Sequence, residues 1–449
     1  MSNFFKVKEH GSTVRTEIMA GVTTFMAMAY ILMVNAGMFS SLGTVSYGAI
    51  YIATAISAVI GTVLIGLLSN LPLAQASGMG LNAFFVYTVC FTFGLSYANA
   101  LVLVLVDGIV FVLLTVTGLR KMIFDAIPAA VKTAISAGIG LFIAFIGLQN
   151  AGIAAADAST KVALGDIAQP QVALALIGVI IIGLMLYFNV KGAILWGILI
   201  TWGLGIIAQF TGWYAVNPEA GVYSLLPSGS FLPNFAALGD TAFKFDFSFM
   251  LNNTVEFAVI VFAFLFVDLF DTVGTLIGVA AKGNMLDKDG KLPRVGRALM
   301  ADAIGTVAGA CLGTSTVTSY VESSAGVAEG GRTGLTSLTT AAMFILSLFL
   351  WPVFGAIPSF ATAPALIIVG LFMMSSVLKV KFEGDMADVL GAFVAIIMMP
   401  FTYSIANGIM FGILTWMFLK IFRGKVKDIH PVMWVVFALF VLRIVTLCF

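Results

Sequence analysis

Glu322 lies in GTSTVTSYVESSAGVAEGG (313–331), a run of small, hydroxylated and β-branched residues with apolar stretches on both sides. Non-helical backbone is tolerated at membrane depth only where it is buried in protein or lines a cavity, and an acid placed there marks a functional site. The bland alternative is a polar loop on the cytoplasmic surface. A second acidic signal is FLFVDLFDTVGTLIG (264–278), in which Asp268, Asp271, Thr272 and Thr275 recur at three- and four-residue steps. That spacing puts them on one helical face. Facing lipid, each central charge would cost roughly 2.5–3.5 kcal/mol, so the face must look into protein or a cavity. Asp271 reads equally as a structural acid holding a neighbouring break. Asn82 follows two glycines in SGMGLNAFF (77–85), where a turn and a close backbone approach are allowed. A carboxylate accepts two N–H bonds side by side, and an amide both donates and accepts. Such a set suits a neutral, planar, hydrogen-bonding solute. Acids in a partly dry cavity exchange protons near neutral pH, which makes Asp268, Asp271 and Glu322 the candidates for proton coupling. Asp107 and Asp302 also fall within spans but lack a polar stripe, and read as structural.

The elements that position these residues follow from composition. Of 449 residues, 61% are hydrophobic and 10% charged, more apolar surface than a soluble core needs. The chain therefore reads as an all-α polytopic membrane protein. Cys90, Cys311 and Cys448 sit in apolar surroundings without CxxC spacing, and His10 and His430 lie far apart near span ends. No disulfide framework, metal site, cofactor or His-based catalytic centre is expected. Residues 1–17 carry charges but no apolar core, so no cleavable signal peptide is expected. GMGLN lacks the third glycine and βαβ setting of a dinucleotide fingerprint, and the NNT sequon at 252–254 abuts a span.

At roughly 20 apolar residues per crossing, spans fall near 18–38, 48–69, 74–93, 98–118, 129–148, 171–189, 192–211, 252–280, 297–312, 314–331, 334–355, 361–378, 387–403 and 405–422. A further apolar stretch, 431–448, either lies in the interface or crosses once more. With the N-terminus cytoplasmic, 19 of the 22 Lys and Arg fall inside, among them Arg120, Lys121, Lys288 and Lys291. Lys161 and Lys244 fall outside, and Arg443 lies within the last apolar stretch. Dropping either polar segment as a span would put the basic 281–297 loop or the 423–427 cluster on the wrong side. The long connection 212–251 separates seven spans from seven. An odd number per half makes the repeats inverted, with the polar segment third in each. Interrupted spans at corresponding positions are the best pointer to a binding site.

SGMGLNAFF, VDLFDTVGTLIGVA and GTSTVTSYVESSAGVAEGGRTGLT resemble the signatures of AzgA-like purine permeases of the nucleobase–ascorbate transporter superfamily. RTEIMAGVTTFMAMAYIL (15–32) and AGIGLFIAFIGLQNAGI (137–153) are similar too, and the likeness runs from about residue 4 to residue 422. The resemblance implies core and gate domains, with short strands in the broken third and tenth spans. The core takes 1–128 and 252–358, the gate 129–211 and 359–422, with 212–251 an extracytoplasmic connection and 423–449 a C-terminal apolar segment. It implies Asn82, Asp268 and Glu322 as substrate-site residues, with the backbone around Gly80, Leu81 and Val321, and Asp271 as a second acid. An acid at 268 leans towards hypoxanthine and guanine, with adenine as a further candidate. The expected function is proton-coupled purine uptake across the cytoplasmic membrane of a bacterium by an elevator-like core movement. Expected partners are a purine nucleobase, protons and the lipid bilayer, with no nucleic acid and a homodimer left open. The alternative on the same fold is an anion transporter of sulfate or bicarbonate type, which three clustered acids disfavour. An intramembrane enzyme is disfavoured because Asp268 and Asp271 lie three apart on one helix and no nucleophile–His pair exists.

Overall fold

Apolar segments too long for a soluble core become a layered bundle of helices around two short antiparallel strands. The computed structural model describes residues 4–117, 126–217, 222–228, 230–287 and 292–448. Arg120, Lys121, Lys288 and Lys291 lie outside the described residues, as does the side chain of Arg443. Among the described residues, 11 helices are long and apolar enough to cross a membrane.

The first span covers Val14–Ser40 as α1 (Val14–Met28) and α2 (Tyr30–Ser40), joined at Ala29, whose backbone stays in the right-handed helical region and whose amide bonds the Phe25 carbonyl at 2.7 Å. Helix α3 (Tyr47–Ser69) is capped by Ser46 and ends on Asn70 in the left-handed region. The third crossing opens as strand β1 (Gln75–Ser77), turns into α4 (Met79–Ala83) and continues as a wider helix over Phe84–Thr92. Helices α5 (Tyr97–Thr117) and α6 (Ala129–Asn150) follow. An exposed hairpin of β2 (Ala154–Asp157) and β3 (Lys161–Leu164) leads to α7 (Pro170–Tyr187) and α8 (Ala193–Phe210). The second half repeats the plan with α9 (Thr254–Lys282), α10 (Val295–Leu312), strand β4 (Val317–Ser319) and the short α11 (Ser323–Ala328). It closes with α12 (Gly334–Ser347), α13 (Ser359–Met374), α14 (Met386–Phe401) and α15 (Ile405–Phe422). The fourteen expected crossings are thus all occupied, two of them by a strand followed by a half-helix.

Packing falls into two groups. Helix α3 packs on α10 and α12, with α1 on α12 and α5 on α10. Helix α6 packs on α13 and α14, with α15 on α14 and α7 on α8 and α13. The stretch left open at 431–448 is a helix, α16 (Pro431–Cys448), packed against α9 and α15. Phe440 meets Phe262 at a ring separation of 5.8 Å, and Phe437 meets Phe418 at 5.2 Å. Aromatic contacts of this kind add packing energy beyond buried area.

Candidate functional site

Strands β1 and β4 pair antiparallel, with Gln75 opposite Ser319, Ala76 opposite Thr318 and Ser77 opposite Val317. The ladder continues one step at each end, from the Gly78 amide to the Thr316 carbonyl and from the Tyr320 amide to the Ala74 carbonyl, both 2.9 Å. A two-stranded ribbon leaves edges that water cannot satisfy at this depth, so side chains must do so. The Thr62 hydroxyl donates to the Gln75 carbonyl and accepts the Gln75 amide, both at 2.9 Å. Ser323 accepts the Ala74 amide, Ser337 serves Leu71 and Leu73, and Thr306 donates to the Val317 carbonyl. The run of hydroxylated residues in the sequence is therefore backbone satisfaction as much as ligand chemistry. Close approach by α3 depends on Gly61, where a Cβ would meet the Gln75 side-chain oxygen and a Val317 methyl, each at 2.9 Å.

Against this crossing lies a cavity of about 570 Å³. One wall carries Tyr30, Glu322, Val321 and the backbone at Gly80, together with Asp271, Gly274, Thr275 and Gly278 of α9. The facing wall carries Lys132, Thr133 and Ser136 from the start of α6, and Ser376 and Lys379 after α13. Glu322 precedes the half-helix α11 and is 8% exposed. The Tyr30 hydroxyl donates to its Oε1 at 2.6 Å. The Thr318 hydroxyl donates to Asp271 Oδ2 at 3.4 Å. Two carboxylates on one wall, beside two strand-to-helix breaks, can accept N–H groups from a flat ligand. Among the described residues, no group of three His, Cys, Asp or Glu could hold a metal ion.

The acidic stripe of α9 is split rather than shared. Asp271, Gly274, Thr275 and Gly278 open onto the cavity, and both glycines have free space where a Cβ would be. Asp268 and Thr272 are fully buried on the flank that faces α10. There the Thr272 hydroxyl lies 3.1 Å from Asp268 and 2.9 Å from Asp302. Asp302 also accepts from the Gln75 side-chain Nε2 at 3.3 Å, and that nitrogen donates to the Ser319 hydroxyl at 3.1 Å. Three steps along a helix rotate a side chain by about 60°, enough at a packed boundary to separate a cavity group from a scaffold group. Asn82 and Leu81 are likewise fully buried off the cavity. The Ser77 hydroxyl donates to Asn82 Oδ1 at 2.8 Å, and the Asn82 amide nitrogen donates to the Ser77 carbonyl at 3.3 Å. Of the expected substrate-site residues, the cavity wall thus holds Glu322, Gly80 and Val321. Asn82, Leu81 and Asp268 stand behind it.

Tyr30 was not legible in advance, because one Tyr in AMAYILM looks like any apolar position of a span. Lys132 and Lys379 stand out in the sequence only as part of the cytoplasmic Lys/Arg excess. Asp107 sits behind β4, with the Thr316 hydroxyl 3.5 Å from its Oδ2.

The chain matches the family described as Permease family over residues 15–411. It is 44% identical over 447 residues to a putative permease of Methanocaldococcus jannaschii, covering 100% of this chain and 98% of that one. It is 42% identical over 442 residues to a guanine/hypoxanthine permease of Bacillus subtilis, covering 97% and 98%. An adenine permease of Escherichia coli is 38% identical over 448 residues, covering 99% and 96%. Among solved structures, the transmembrane domain of a cyanobacterial bicarbonate transporter superposes with a TM-score of 0.64 over 87% of this chain and 96% of its own. At 17% identity that likeness concerns the fold.

Proposed function

The chain belongs to the nucleobase–ascorbate transporter family of permeases, and we propose that it takes up purine nucleobases, hypoxanthine and guanine foremost, in symport with protons. It is a multi-pass membrane permease and not an enzyme. The observation that carries the substrate reading is the placement of Glu322 and Asp271 on one wall of a cavity at the strand crossing. A 6-oxopurine presents ring N–H groups to two acceptors and ring nitrogens and a carbonyl to backbone donors. Glu322, Asp271 and the backbone at Gly80 and Val321 make the contacts in this reading. Asn82 and Asp268 hold the crossing that positions them. The guanine/hypoxanthine permease relative supports the 6-oxopurines, and the adenine permease relative keeps adenine as a further substrate.

Proton movement is assigned to Glu322 and Asp271, with Asp268 next in line through Thr272. The elevator-like step would carry the crossing and the helices around α3 against the group built on α6 and α13. Separate packing of those groups supports that motion. Residence in the cytoplasmic membrane with the N-terminus inside rests on the Lys/Arg asymmetry. Bacterial relatives support a bacterial setting. Anion transport, the second reading, has the bicarbonate transporter's fold and the cavity lysines Lys132 and Lys379 behind it, but the two carboxylates beside the strand crossing would repel an anion there.

Uptake of radiolabelled hypoxanthine in cells lacking purine permeases, competed by guanine, adenine, xanthine and uracil, tests the substrate. Guanine is expected to compete best, and an uncoupler is expected to collapse accumulation. Competition by uracil alone would overturn the purine reading, and accumulation that survives the uncoupler would overturn proton coupling.

A further inference from the structure

We infer that Tyr30 is a positioning residue that sets which purines the site prefers, by occupying one oxygen of Glu322 and leaving the other as the acceptor offered to the ligand. The inference rests on the purine reading above. Tyr30 is the first residue of α2 and is 1% exposed while forming part of the cavity wall. Its hydroxyl lies 2.6 Å from Glu322 Oε1. Packing on both sides of the first span fixes that placement. Helix α1 lies against α11 and α12, and a Cβ on Gly326 would strike the Thr24 hydroxyl and the Ala20 carbonyl.

A carboxylate accepts a neighbouring pair of N–H groups by using one lone pair on each oxygen. Glu322 Oε1 already takes a short bond from the phenol. Bonds of this kind to a carboxylate are about twice as strong as neutral ones. Oε1 keeps a single lone pair once the phenol is bound, so a ligand with two adjacent N–H donors must share that oxygen with Tyr30, whereas a ligand with one N–H can use Oε2. Guanine presents such a pair, its ring N1–H and its 2-amino group. Hypoxanthine presents N1–H alone on that edge. Tyr30 thus tilts the site towards 6-oxopurines without a 2-amino group. The other charged groups lining the cavity are Asp271, Lys132 and Lys379.

The test compares hypoxanthine and guanine binding to the purified full chain before and after Tyr30→Phe. Hypoxanthine binding is expected to weaken about tenfold as Glu322 loses its orienting bond. Guanine is expected to lose about threefold or less, because the freed Oε1 becomes available to its 2-amino group. The preference for guanine over hypoxanthine should therefore rise about threefold or more. Equal losses for both bases, an unchanged ratio or a shift towards hypoxanthine would each overturn the inference, since a merely structural role leaves the ratio alone. Incorporating 3,5-difluorotyrosine at position 30 keeps the ring and hydroxyl and strengthens the donor. It should move the ratio the opposite way, and it decides the matter if Tyr30→Phe does not fold. A parent protein that binds neither base refutes the purine reading rather than the role of Tyr30.

Discussion

The two broken crossings share one plan and divide the labour. In the first half, β1 runs into a long half-helix whose polar side chain, Asn82, is turned back onto Ser77 and fully buried. In the second, β4 runs into the six-residue α11, and Glu322 sits at the turn between them with its carboxylate on the cavity. The first crossing supplies backbone and an internally satisfied amide, and the second supplies an acid. A carboxylate has acceptor capacity left over after one hydroxyl bond, whereas an amide bonded at both ends has little to offer a ligand. Symmetry of architecture therefore does not imply symmetry of chemistry. Helix α9 repeats the lesson within one element, with Asp271 on the cavity and Asp268 in the scaffold.

This division can be broken by measurement. Glu322→Ala should reduce purine binding by about two orders of magnitude, the loss of a charge-assisted acceptor, as read by equilibrium binding to purified protein. Normal binding would end the assignment of chemistry to the second crossing. Asp271→Asn should weaken binding about tenfold, whereas Asp268→Asn, whose amide can still pair with Thr272, should change affinity about threefold or less. The reverse order of those two variants would mean that the cavity-facing flank of α9 is not the one that meets the ligand. Asn82→Ala should lower stability by about 1 kcal/mol through the lost bonds to Ser77, seen as a lower melting temperature with purine affinity kept. A collapse of affinity without loss of stability would instead make the two crossings chemically equivalent.

The smallest effect is expected far from both crossings. Asp385, before α14, accepts from Lys420 at 2.8 Å and Lys425 at 2.9 Å, and those bonds hold its carboxyl well below the usual range. A lowered carboxyl stabilises the fold above its unfolded value of roughly 4 and ceases to do so as pH falls through the folded value. Asp385→Asn should therefore lower the melting temperature slightly at neutral pH. The gap to the parent should shrink as the pH drops below roughly 4. A gap that widened in acid would contradict the assignment.

Much of this was legible in the residues themselves. Hydropathy and the Lys/Arg asymmetry located the crossings, because the bilayer demands length and apolarity of every span. Glycine and hydroxyl content marked the two breaks, because exposed backbone at that depth needs small neighbours and side-chain partners. Glu322 was conspicuous because few acids survive there without a purpose. The sequence did not show which flank of α9 meets the cavity, since Asp268 and Asp271 belong to the same stripe when neighbours are ignored. It did not reveal the partner of Glu322, since Tyr30 lies 292 residues away in the chain. Period and composition determine what each segment must do along its own axis. How far it is rotated against its neighbours, and hence which atoms meet, is decided by packing between segments distant in the chain.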